Sequence, residues 1–176
     1  VGGTVLDFSS HAVTAFNATN TGGGNVHLVN TTPTLTVTGV SQNGGGDVII
    51  DNTGALTVNT LINNLGAGGA IDLTGTTGIN LGVGPTANNG PVSFRNPVTL
   101  TANVTVAAGS GAISFDDTLA GAFTLNANST GTTTFANTVS GLTALTTNTG
   151  GTTEINTATV TTTGAQTYND AVTVGA

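Results

Sequence analysis

Val92-Ser93-Phe94-Arg95-Asn96 and Ile113-Ser114-Phe115-Asp116-Asp117 carry one pattern. Two apolar residues flank a variable one, and Asn, Asp or Gly follows two positions later. The pattern recurs as Val26-His27-Leu28 with Asn30, Val48-Ile49-Ile50 with Asn52, and Ile71-Asp72-Leu73 with Gly75. It returns with Thr at its head as Thr133-Thr134-Phe135 with Asn137. The second apolar residue falls at 28, 50, 73, 94, 115, 135 and 155, in steps of 22, 23, 21, 21, 20 and 20. A period of about 20 residues is the mark of a solenoid with one coil per repeat.

The segments between the copies read as strands and corners. Leu35-Thr36-Val37-Thr38, Leu56-Thr57-Val58-Asn59 and Val98-Thr99-Leu100-Thr101 alternate apolar and polar, as a strand with one buried face does. A second strand is thus expected about six residues after the first, at Leu35, Leu56, Ile79 and Leu100. A less regular third is expected at Leu61 or Ile62, Val83, Val104 with Val106, and Leu145. Gly runs such as Gly22-Gly23-Gly24 and Gly44-Gly45-Gly46 bound the strands. Strands of this kind, with turns between them, make an all-β parallel β-helix of about eight coils of 20–23 residues, over residues 1–176 as one repeat domain. At about 4.8 Å per coil the rod is about 40 Å long.

Two columns follow from that geometry. Leu28, Ile50, Leu73, Phe94, Phe115 and Phe135 are the expected core stack. Asn30, Asn52, Asn96, Asp117 and Asn137 are the expected turn ladder, since Asn and Asp tolerate corner backbone and stacked amides can hydrogen-bond to one another. The register slips near the C-terminus. Thr167-Tyr168-Asn169-Asp170-Ala171-Val172-Thr173-Val174 copies Ser93-Phe94-Arg95-Asn96-Pro97-Val98-Thr99-Leu100, yet Tyr168 follows Ile155 by much less than a full coil. At the other end Phe8, one coil length before Leu28, is expected to open the stack.

Composition agrees with a narrow rod. Thr (39), Gly (27) and Asn (20) make up about half of the 176 residues, and the aromatic set is six Phe and one Tyr. Arg95 is the only basic residue against seven Asp and one Glu. Binding a phosphate backbone takes several cations, so nucleic acid is excluded as a partner. A basic membrane-surface helix is excluded on the same ground, and no apolar run approaches the ~18 residues of a spanning helix. The chain starts with Val and shows no signal peptide, so a mature product or an excised piece is expected.

The residues that carry chemistry are few. Asp116-Asp117 is the best candidate for the paired carboxylates of a glycoside hydrolase, with Asp51 and Asp72 at equivalent strands of earlier coils. A single Arg leaves little to hold an acidic sugar, so a non-enzymatic protein is expected. Gly44-Gly45-Gly46-Asp47 faintly resembles a calcium nonapeptide repeat but lacks consecutive copies. His11 and His27 have no metal-ligand spacing. Neither cofactor nor metal is expected. Thr34, Thr36 and Thr38, Thr99 and Thr101, and Thr161 to Thr163 would line a flat face that orders water, which makes ice binding an alternative.

Asn103-Val104-Thr105-Val106-Ala107-Ala108-Gly109-Ser110-Gly111-Ala112-Ile113-Ser114-Phe115 and the tail from Thr161 to Val174 resemble the repeat region of filamentous-haemagglutinin-like and autotransporter-type bacterial surface adhesins. The resemblance implies a right-handed β-helix, export to the cell surface, and a stalk or adhesive role; it carries no specific functional residues. The expectation is therefore a structural, extracellular β-solenoid. Its partners would be adjacent coils of a longer chain, a second copy stacked end to end in a filament, or surface glycans, because bare solenoid ends expose unpaired strand edges and no capping helix is evident.

Overall fold

The computed structural model of the chain describes residues 3–6 and 11–175. These form twenty-three strands, numbered in chain order, and no helix. Every ladder is parallel. The chain is an all-β solenoid of about eight turns.

The first sheet stacks β1 (Thr4–Leu6), β3 (Val26–Asn30), β5 (Val48–Asn52), β8 (Ile71–Gly75), β11 (Val92–Phe94), β14 (Ile113–Phe115), β17 (Thr132–Phe135), β20 (Thr152–Ile155) and β23 (Ala171–Val174). The second face holds β6 (Ala55–Val58), β9 (Ile79–Leu81), β12 (Val98–Leu100), β15 (Leu119–Ala120), β18 (Val139–Leu142) and β21 (Val160–Thr162). The third holds β7 (Ile62–Asn64), β10 (Thr86–Ala87), β13 (Val104–Gly109), β16 (Thr124–Ser129), β19 (Ala144–Thr147) and β22 (Gln166–Tyr168). In the early turns the last two faces are one. The nine-residue β4 (Thr34–Gln42) pairs with β6 through its first half and with β7 through its second. β2 (Ala15–Asn20) lies beneath it, with a register shift between Phe16 and Asn17 opposite Gly39. From the third turn onward a corner at Asn59-Thr60-Leu61 and its equivalents separates the faces.

Alternation along each strand sets what goes inside. In β3, β5 and β8 the first, third and fifth residues are buried, and the two between them are only partly covered. Register then stacks like on like. Leu28, Ile50, Leu73, Phe94, Phe115 and Phe135 lie opposite one another in succession and are all buried. Leu35–Leu56–Ile79–Val98–Leu119–Val139 does the same on the second face. Each such side chain contributes about 1.5–3 kcal/mol by leaving water.

A glycine column sets the third-to-first corner. Gly24, Gly46, Gly69, Gly90, Gly111, Gly131 and Gly151 each stand four residues before a member of the core stack. A Cβ on Gly46 would sit 2.1 Å from Gly24 O, on Gly69 2.4 Å from Gly46 O, and on Gly90 1.8 Å from Gly69 O. The coils pass too close here for any side chain, which is the close-approach use of glycine.

The structure fixes the register at four points. Phe8 lies outside the described residues, and Leu6 is the residue opposite Leu28. Tyr168 is not a second Phe94: it lies on the third face, opposite Thr147. Ile155 keeps its place opposite Phe135, and Val174, one coil further on, is its successor. The Tyr168 segment copies a first-sheet sequence locally, but the strands before it have already filled that rung. Val83 is not in a strand; Thr86–Ala87 takes the third position of its coil. Of the pair Leu61 and Ile62, Ile62 points inward and Leu61 is 44% exposed.

Candidate functional site

The expected turn ladder divides into two halves. Asn30 and Asn52 are buried, and Asn30 Nδ2 donates to Asn52 Oδ1 at 2.9 Å. The same amide donates to Val13 O, and Asn52 Nδ2 donates to Thr32 O and Ala55 O. The column then stops at Gly75, which has no side chain. Asn96, Asp117 and Asn137 form no amide ladder. Asp117 Oδ1 and Asn137 Oδ1 each accept the next residue's N–H at 2.7 Å, as local turn caps, and Asn96 Oδ1 has no hydrogen-bond partner. The reason is position: these three follow short strands that end at the Phe, so the side chain falls outside the core.

A second amide column escaped the sequence reading. Asn20, Gln42 and Asn64 end successive strands in register and are buried. Gly22 N–H donates to Asn20 Oδ1, Gly44 N–H to Gln42 Oε1, and Gly66 N–H to Asn64 Oδ1, at 3.2–3.3 Å. Their amide nitrogens donate to Gly24 O, again Gly24 O, and Gly46 O. An amide two residues before a Gly, recurring once per coil, was the available signal. These side chains satisfy corner backbone that would otherwise be buried unpaired.

Most of the charge gathers along one sheet, with Asp170 turned inward onto Thr147 and Thr153. Every described Asp, Glu and Arg lies within two residues of a first-sheet strand. Arg95 spans three rungs there. Its Nε and Nη2 donate to Asp72 at 2.8 and 2.5 Å, and its Nη1 donates to Asp116 at 3.0 Å. The hydrogen bonds to Asp72 push the guanidinium further above its ordinary range. Among the described residues the one strong cation is thus held between two carboxylates. His27 Nε2 lies 3.7 Å from Asp51 Oδ2 on the same face.

This arrangement separates the adjacent carboxylates. Asp116 turns to Arg95, whereas Asp117 caps its own corner. They do not face each other across a cleft as a hydrolytic pair would. Asp47, from the calcium-like segment, accepts Ala70 N–H at 2.9 Å, while its own N–H donates to Asn25 Oδ1. No group of three His, Asp or Glu side chains among the described residues is placed to hold a metal ion. The second and third faces are covered mainly by Thr, Asn, Ser, Ala and Gly, with Leu61 and Leu65 exposed on the third. One register-matched row on the second face reads Thr36, Thr57, Asn80, Thr99, Ala120, Ser140. No protein-family model, curated protein or solved structure matches the chain.

Proposed function

We propose that the chain is a structural segment of an extracellular β-solenoid, a stalk or filament section of a bacterial surface adhesin. The observation that carries this reading is repetition along the axis. The apolar stack and the glycine column repeat coil after coil, and both join each rung to the next. The near absence of Lys and Arg and the resemblance to surface-adhesin repeats support the extracellular setting. Pulling the chain from its two ends tests the mechanical role. Rung-by-rung resistance is expected, each release of about 20 residues adding about 70 Å of contour. A chain that extends without resistance overturns the proposal.

The uncharged row from Thr36 to Ser140 favours one alternative, ordering of water against a flat face, as in ice binding. Thermal hysteresis of a freezing solution reads it directly, and its absence removes that alternative.

A further inference from the structure

We infer that the outer surface of the third face carries a binding site for a neutral saccharide, seated where β2, β4 and β7 pass over one another. This deepens the adhesive part of the proposed function and rests on it only for biological setting; the groove itself is a matter of geometry.

The site is a groove of about 310 Å³ lined by Asn17, Thr19, Gly39, Ser41, Leu61 and Asn63. That volume matches the lower end of small-ligand sites, about 300–1,000 Å³. Its origin lies in the backbone. The register shift between Phe16 and Asn17 leaves Thr38 of β4 as an extra, bulged residue beside Gly39, whose φ of 141° belongs to glycine. Gly39 contributes no side chain, so the floor drops between the rows on either side. A Cβ there would meet Asn17 Nδ2 at 2.9 Å.

The lining specifies the ligand's chemistry. Two amides and two hydroxyls converge, and no ionisable residue lines the groove. Asn63 lines the groove, and its Oδ1 is buried without a hydrogen-bond partner, so it meets a ligand's hydroxyl only if the side chain turns outward. Asn17 commits only its Nδ2, to Thr38 O, leaving its oxygen free to accept. Leu61, 44% exposed, adds an aliphatic wall. Hydroxyl donors on one edge and C–H groups on a flat side are what a pyranose ring presents. A charged ligand would lose its hydration and find no counter-charge here.

The test is titration of the isotopically labelled protein with chitobiose, mannobiose and digalacturonate, followed by amide NMR. A neutral disaccharide is expected to shift the Asn17, Thr19, Ser41 and Asn63 resonances with a Kd on the order of 1 mM. Thr19→Tyr points outward and fills the groove, so it is expected to weaken binding at least tenfold. Thr99→Tyr on the second face is the matched control and leaves binding unchanged. Asn63→Ala, read alongside, is expected to weaken binding as well. Shifts for digalacturonate alone, shifts mapping elsewhere, binding unaltered in Thr19→Tyr, or no shift with any of the three sugars each overturn the site. None of these outcomes bears on the pulling experiment, so the structural reading stands or falls separately.

Discussion

Phe94 and Phe115 stack with ring centroids 4.9 Å apart and planes 7° from parallel, although a full coil of chain separates them. Phe135 continues the stack at 5.5 Å and the same angle. Their contact is made by register alone: each occupies the same place on successive first-sheet strands. Aromatic pairs of this kind add about 0.5–1.5 kcal/mol beyond burial.

Phe115 is the middle ring and loses two partners at once when truncated. Phe115→Ala is expected to destabilise the protein by about 3–5 kcal/mol. Phe115→Leu, which keeps most of the volume, should cost much less. Denaturant unfolding of both variants measures the difference, and a Phe115→Ala protein as stable as its parent would refute the stacking.

The two halves of the turn ladder separate in stability. Asn52→Ala removes the buried acceptor of the Asn30 amide and the donor to Thr32 O and Ala55 O, and a cost of about 1–3 kcal/mol follows. Asn137→Ala removes only an exposed cap and is expected to stay within about 0.5–1 kcal/mol. Equal costs in a thermal melt would show that burial is not what distinguishes them.

Glycine is required for two different reasons in this chain. Gly90→Ala drives a Cβ to 1.8 Å from Gly69 O, so two coils must move apart. Gly141→Ala meets nothing within 4 Å and suffers only from its φ of 71°, a penalty of about 1–2 kcal/mol. The first variant should be the less stable by a clear margin, and circular-dichroism melts of the pair decide it.

Tyr168 makes stability depend on alkaline pH. Partial burial raises its pKa above the ordinary value of 10.0. The neutral phenol is therefore favoured in the folded chain. Its contribution is fully present below pH 10 and is lost as pH rises through the raised folded value. Melting temperatures from pH 8 upward should fall beyond about pH 10 in the parent and fall less in Tyr168→Phe. Parallel curves for the two proteins would contradict this assignment.

The solenoid and most of its core were readable from the chain itself. Apolar alternation and a step of one coil depend on local sequence, and they assign Leu28, Ile50, Leu73, Phe94, Phe115 and Phe135 to one inward column without any knowledge of pairing. The glycine four residues before each of these was equally visible, at the same steps, and marks where coils touch backbone to backbone. What local pattern does not hold is the count of residues spent in the turns between strands. That count decides which strand lies beside which. So only the tertiary structure moves Tyr168 to the third face, joins Asn20, Gln42 and Asn64 while parting Asn96 from Asp117, and sets Asp72 and Asp116 on either side of Arg95. Alternation is a property of neighbours in sequence. Pairing accumulates over every coil before it.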